Sequence, residues 1–191
     1  MFARTSRLLL RPGWQEDAAM LAAALNDEGL TRNLARVPFP YASDDAQAYL
    51  ARPRDPRHPQ LLVFSRTQGL PRLVGGCGLT PAEDGEGVEL GYWIARPYWG
   101  LGFATEAARA LVHAGRALGH QRIRARHAVD NPASGRVLRK LGFRPTGDFA
   151  RIHSKGRGED VLTILYEDAG EMDMRADLSR ELYDDTSTLA A

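Results

Sequence analysis

"GYWIARPYWGLGFATEA", Gly91 to Ala107, sets a run of aromatics and glycines between a strand-like apolar segment and a helix-like one. Upstream, "GVELGYWIA" alternates. In an extended chain Glu89, Gly91 and Trp93 share one face, and Val88, Leu90, Tyr92 and Ile94 share the other. Downstream, Ala104, Ala107, Ala108, Leu111, Val112, Gly115 and Leu118 recur at helical spacing, which predicts an amphipathic helix over "ATEAARALVHAGRALG". The junction therefore reads strand, Gly100-x-Gly102-x-Ala104, helix. At such a start the first backbone N–H groups have no intrahelical partner, and they and the helix dipole favour a phosphate or pyrophosphate. Small residues let a ligand approach the backbone. A glycine pair at a helix start also serves tight packing alone, so the motif is read together with its surroundings.

Working outward, "SRLLLRPG" predicts a first strand ending at Pro12 and Gly13. "WQEDAAMLAAALND" follows as a helix with Trp14, Ala18, Leu21, Ala22 and Leu25 on one side. Prolines bound "PFPYASDDAQAYLARPRDP", and Asp44-x-x-Gln47 is a start signal for a short helix within it, expected to be mobile and to lie on the surface. "QLLVFSR" and "RLVGGCGLTP" read as an antiparallel hairpin, with "GVELGYWIA" as the next strand. "QRIRARHAVD" alternates, with Ile123, Ala125, His127 and Val129 on one face. "NPASGRVLRKLGFRP" is a helix with both ends marked: Asn131 as N-cap, Pro132 at the first helical position, Gly142 past the end and Pro145 beyond. "GDFARIH" and "DVLTILYE" flank "SKGRGE" as a closing hairpin. The sum is an α/β (α+β) domain over residues 1–168, with a mixed, mostly antiparallel central sheet of about seven strands flanked by helices. Residues 169–191 form an acidic tail in which Met174, Leu178 and Leu182 could line a short helix.

Of the 191 residues 43% are hydrophobic, enough for one core and too few for two ordinary domains. Residues 167–191 hold eight acids and two arginines, which leaves residues 1–166 with 23 bases and 16 acids. A basic body suits an anionic ligand such as a phosphorylated cofactor; RNA or an acidic protein surface would suit the charge equally, and a solvated face is the plain alternative. No stretch approaches the roughly 18 apolar residues of a membrane span, so the expectation is a soluble cytoplasmic protein. The single cysteine, Cys77, excludes an internal disulfide and a cysteine-rich metal cluster, and "GGCG" offers it no neighbouring base. His58, His113, His120, His127 and His153 show no ligand spacing, and His127 reads as a packed core residue.

"VELGYWIARPYWGLGFATEAARALVHAG" followed by "ARHAVDNPASGRVLRKLGF" resembles the acetyl-CoA-binding half of the GNAT N-acetyltransferase superfamily, in its RimJ/RimL-like branch. "RLLLRPGWQEDAAML" and "PFPY" resemble the same branch, so residues 1 to about 166 are covered. The resemblance implies a GNAT-like fold, acetyl-CoA as donor and an amine as acceptor. It makes "WGLGFA" the pyrophosphate loop, held by backbone N–H groups of Leu101, Gly102, Phe103, Ala104 and Thr105 beside Trp99 and Gly100. Trp99 stands where the family usually has Gln or Arg, and Leu101 where a basic residue is frequent. Trp93, Ile94 and Ala95 would splay from the next strand and hydrogen-bond the pantetheine amides. Asn131 and Ser134 match the branch's Asn-x-x-Ser near the thiol end. Leu138 stands where many members carry a tyrosine acid.

Acyl transfer to an amine needs an uncharged nitrogen, whereas a free lysine has a pKa of about 10.4 and an α-amino group about 7.7 to 8.0. Glu89, on the strand entering the loop, is the candidate base. It could equally pair with an arginine. Ser134 is the candidate partner for the departing thiolate, or simply a small residue in a first turn. A backbone N–H near Ile94 would meet the tetrahedral oxyanion, with Asn131 assisting or only capping its helix. The expected reaction is direct attack in a ternary complex on a peptide N-terminus or a small amine. No direct nucleic-acid binding is expected, and the protein would be a monomer or homodimer. A non-catalytic acyl-CoA sensor is the alternative of a different class. A dinucleotide-binding protein ranks below both, because the glycine turn follows antiparallel-looking strands and no acidic residue stands about 20 residues on in a clear parallel strand.

Overall fold

The structure is a computed structural model describing residues 1–67 and 69–168, so the expectation of a tail helix lies outside the described residues. Its strands are β1 (Ala3–Arg4), β2 (Leu8–Arg11), β3 (Gln60–Ser65), β4 (Arg72–Pro81), β5 (Val88–Ile94), β6 (Ile123–Ala128), β7 (Phe143–Ser154) and β8 (Glu159–Asp168). The helices are α1 (Ala18–Leu25), α2 (Glu28–Thr31), α3 (Ser43–Leu50), α4 (Phe103–Ala117) and α5 (Pro132–Lys140). One sheet runs β1-β2-β3-β4-β5-β6-β8-β7, antiparallel throughout except for the parallel pair β5–β6 that α4 connects. The mixed, mostly antiparallel sheet is the one expected, with one strand more. The addition is β1, two residues pairing Ala3 with Leu10 and Arg4 with Leu9, too short to show alternation in sequence. The closing hairpin is also longer than expected. β7 begins at Phe143 and crosses Pro145 with a register shift before Phe149, which an edge strand tolerates because one side of its backbone has no neighbour to bond.

The pleat divides the core in two. Val88, Leu90 and Ile94 of β5 are buried with Leu79, Leu111, Val112, Ile123 and Leu138 in the core that includes α4 and α5. A second core joins α1 and α3, through Leu21, Leu25, Tyr41, Ala46 and Leu50, to Leu62 and Phe64 of β3. Each fully buried leucine contributes about 1.5–3 kcal/mol, so both layers are held firmly. α3 lies on the surface as expected, with Ser43, Asp44, Gln47 and Ala48 exposed, while Ala46 and Leu50 pack its inner face onto the sheet. Its start is set by Asp45, whose carboxylate accepts the Ala42 N–H at 2.9 Å, rather than by the Asp44–Gln47 pair. Trp14 is 44% exposed instead of sharing the apolar side of α1, because it precedes the helix and stacks under the Arg11 guanidinium. Val129 is exposed because β6 ends one residue before it. Among the described residues no helix is long and apolar enough to cross a membrane.

Candidate active site

The parallel pair opens into a gap, and the pleat decides what faces it. Ala95 N–H donates to the Val74 carbonyl at 2.9 Å, so Ala95 and, two residues apart, Trp93, Gly91 and Glu89 turn their backbone groups toward β4. Val88 N–H donates the other way, to Arg122 at the start of β6, and Leu90, Tyr92 and Ile94 share that direction. Pairing with β6 stops at Leu90–Ala125, while β6 continues its own pairing with β8 as far as Ala128–Thr163. The amides of Tyr92 and Ile94 are therefore left facing the gap. Of Trp93, Ile94 and Ala95, only Ile94 directs its amide there; Trp93 contributes its side chain to the wall, and Ala95 is buried. Tyr92 was not singled out from the sequence, although the alternation that groups it with Leu90 and Ile94 already carried the signal.

At one end of the gap lies the glycine turn. Gly100 and Gly102 have φ of 79° and 81°, a left-handed backbone that other residues adopt only under strain. Gly102 is the N-cap of α4, and the first bond of that turn is Glu106 N–H to the Gly102 carbonyl. Among the described residues the backbone N–H groups of Gly100, Leu101, Gly102, Phe103, Ala104 and Thr105 make no hydrogen bond. A side chain at Gly100 would meet nothing within 4 Å, so the cradle is open. This arrangement fits the pyrophosphate of a CoA ester.

Two side chains complete the turn. Trp99 donates from Nε1 to the Ile94 carbonyl at 2.5 Å, tying the turn to β5. Arg7, far away in sequence, donates from Nη1 to the Leu101 carbonyl at 2.9 Å and pairs with Glu106. It brings a guanidinium to the turn where Leu101 itself has no charge. Nothing local in the sequence marks Arg7.

The two faces of the gap carry different chemistry. On the face of α5, Asn131 Oδ1 accepts the Ser134 N–H at 3.3 Å and caps the helix. Ser134 Oγ lies 2.8 Å from the Tyr92 hydroxyl. Burial pushes that hydroxyl up to about 12, so Tyr92 remains a proton-bearing donor at neutral pH. On the opposite face Glu89 meets Arg126, whose Nε and Nη2 both lie 2.9 Å from Oε2. Desolvation raises the Glu89 carboxyl above its ordinary range, and the Arg126 charge and hydrogen bond pull against it without prevailing. The arginine pairing anticipated for Glu89 is present, and so is the raised carboxyl that suits a base.

A cleft of about 1870 Å³ runs past all of this, and Glu89, Trp93, Ile94, Trp99, Gly100, Gly102, Phe103, Ala104, Thr105, Asn131 and Ser134 line it; the side chains of Ala95 and Leu101 do not. Burial raises the Cys77 thiol to about 12, which leaves it a poor nucleophile. His127 is buried, with Nδ1 2.8 Å from the Ala128 carbonyl and, among the described residues, no partner for Nε2. No cluster of three or more metal-binding side chains occurs among the described residues.

The model of the acetyltransferase (GNAT) domain matches residues 7–144. An uncharacterized N-acetyltransferase p20 of Bacillus licheniformis is 31% identical over 172 residues, 85% of this chain and 92% of the relative. Among solved structures, a GNAT-family acetyltransferase from Bacillus anthracis is similar with a TM-score of 0.74 at 23% identity, over 87% of this chain and 97% of its own. A spermidine N-acetyltransferase from Vibrio cholerae, solved in complex with CoA and spermine, gives 0.69 at 20% identity, over 87% and 98%. With the glycine turn, the opened strand pair and the matched domain all in one chain, this protein belongs to the GNAT acetyltransferase family, whose acyl donor is acetyl-CoA.

Proposed function

We propose that the chain moves an acetyl group from acetyl-CoA to a primary amine, a peptide N-terminus or a small molecule, by direct attack in a ternary complex. The observation that carries this reading is the gap between β5 and β6, with a carboxylate on one face, a hydroxyl pair on the other and free amides along its edge. The amides from Gly100 to Thr105 would hold the pyrophosphate, and Tyr92 and Ile94 would bond the pantetheine arm through their backbones. Acetyl-CoA supplies the thioester. Glu89 takes the proton of the attacking amine, directly or through water, which its raised carboxyl allows near neutral pH. The N–C bond forms as the C–S bond breaks, and the Ile94 N–H faces the negative charge that develops on the carbonyl oxygen. The departing sulfur receives its proton from Ser134, which Tyr92 backs with its own hydroxyl. Asn131 holds Ser134 in place through the first turn of α5.

A thiol-release assay over a panel of peptide N-termini and small amines tests the reading. Turnover on one of them that falls in Glu89→Gln while CoA affinity persists is the expected result. Tight CoA binding with no turnover on any amine would favour a sensor instead.

A further inference from the structure

The cleft as a whole carries more positive than negative charge. Ten arginines and lysines line the cleft against five carboxylates, and the carboxylates are engaged. Glu83 and Glu89 face Arg126, and Asp130 binds Arg157 through two contacts of 2.8 Å. Asp55 meets His58, and Asp45 holds the Ala42 amide. By contrast, Arg36 and Lys155 are exposed, and their side chains make no hydrogen bond or ion pair among the described residues.

These two cations are held on a built wall rather than on free loops. Lys155 N–H donates to the Ala35 carbonyl at 2.9 Å, and Arg157 Nε to the Arg32 carbonyl at 2.6 Å. The turn between β7 and β8 is pressed so close that a side chain on Gly156 would stand 2.6 Å from the Thr31 carbonyl oxygen. Arg36 thus springs from a segment hydrogen-bonded to the one that carries Lys155. Its charge is also felt at Glu89, the residue that would receive the amine.

We propose that Arg36 and Lys155 read an anionic group, a carboxylate or a phosphate, on the acceptor, so that the substrate is an amine bearing a negative charge. The inference rests on the acetyl-transfer reading and names its substrate class. An acceptor of this kind places its ammonium beside Glu89 and Glu83 and its anion beside Arg36 and Lys155. A polyamine would meet those cations with like charge, and complementarity of this sort sets which partner is admitted.

The experiment compares kcat/KM by thiol release for two matched pairs: 2-aminoethyl phosphate against ethanolamine, and the amidated tripeptide Ala-Glu-Ala against Ala-Gln-Ala, with spermine as the cationic extreme. The acidic member of at least one pair is expected to be favoured about five- to tenfold, with spermine the poorest acceptor. The pair that shows the preference tells a small-molecule acceptor from a protein N-terminus. Arg36→Gln should bring the acidic-to-neutral ratio toward one, and Arg36→Glu should invert it. Arg36 is exposed, and a thermal melt verifies that both variants fold. Neutral members equal or better in both pairs, spermine preferred, or a ratio unmoved in both variants would overturn the proposal while leaving acetyl transfer standing. No turnover on any amine with CoA still bound would instead refute the acetyl-transfer reading, and this inference with it.

Discussion

Replacing Arg126 with glutamine should shift the acid limb of the pH–rate profile to higher pH. Two guanidinium nitrogens lie 2.9 Å from one oxygen of Glu89, and the two side chains are 18% and 22% exposed. At that separation and an effective dielectric of about 20, the attraction between unit charges is about 6 kcal/mol before desolvation is counted. Desolvation already outweighs it, since the Glu89 carboxyl is raised, and Arg126 is the main group opposing that rise. Losing even a quarter of that attraction, about 1.4 kcal/mol, cuts the ionised fraction tenfold at any pH on the acid limb. Because the base must be deprotonated to accept the amine proton, kcat/KM should fall about tenfold there. It should recover as pH rises through the new carboxyl pKa. Arg126→Lys, which keeps a charge but not the paired contact, should fall between the two. Profiles are measured by thiol release, with CoA affinity checked by titration. If the acid limbs of the wild type and Arg126→Gln superimpose while CoA binding is intact, Glu89 is not the base and the reasoning fails.

Three further outcomes follow from the geometry. Gly102→Glu should abolish measurable CoA binding, since its carboxylate would occupy the open amides and repel the pyrophosphate, and a side chain is forced onto a φ of 81°; retained affinity by calorimetry would refute the loop assignment. Tyr92→Phe should lower kcat about tenfold with CoA affinity nearly unchanged, because it removes the hydroxyl 2.8 Å from Ser134 and no backbone amide; an unchanged kcat would leave Ser134 without a catalytic partner there. Asp17→Ala should cost about 3–5 kcal/mol in denaturant unfolding, because it leaves the guanidinium of Arg11 half-paired in the second core. Burial acts to raise the Asp17 carboxyl, but the hydrogen bonds of Arg11 and the Trp14 amide together with the Arg11 charge outweigh it and lower the pKa. Since the folded pKa is depressed, this contribution is present above the unfolded value of about 3.9 and is lost as pH falls through the folded one. A wild-type stability that is flat with pH below 4 would count against it.

The legible parts were those whose cause is local. The alternation in β5, the spacing in α4 and the marked ends of α5 each rest on neighbours within a few residues, and each stands where it was expected. Two local readings were altered by packing that helical spacing and polarity do not record. The segment around α3 lies on the surface, yet Tyr41, Ala46 and Leu50 find a face of the sheet to cover. Trp14 fits the helical spacing of α1, but its ring is drawn to Arg11 before the helix begins.

From the sequence alone one could determine the strand, glycine turn and helix, and the asparagine and serine that follow, because φ freedom, capping and periodicity are properties of short stretches of chain. Which amides face the gap was decided by the tertiary structure, since it depends on β6 leaving β5 after Ala125 to follow β8. The same holds for Arg7 at Leu101, Arg126 at Glu89 and Tyr92 at Ser134, contacts between residues 94, 37 and 42 positions apart. Such pairs are made by strand order and helix placement, and no periodicity along the chain records them.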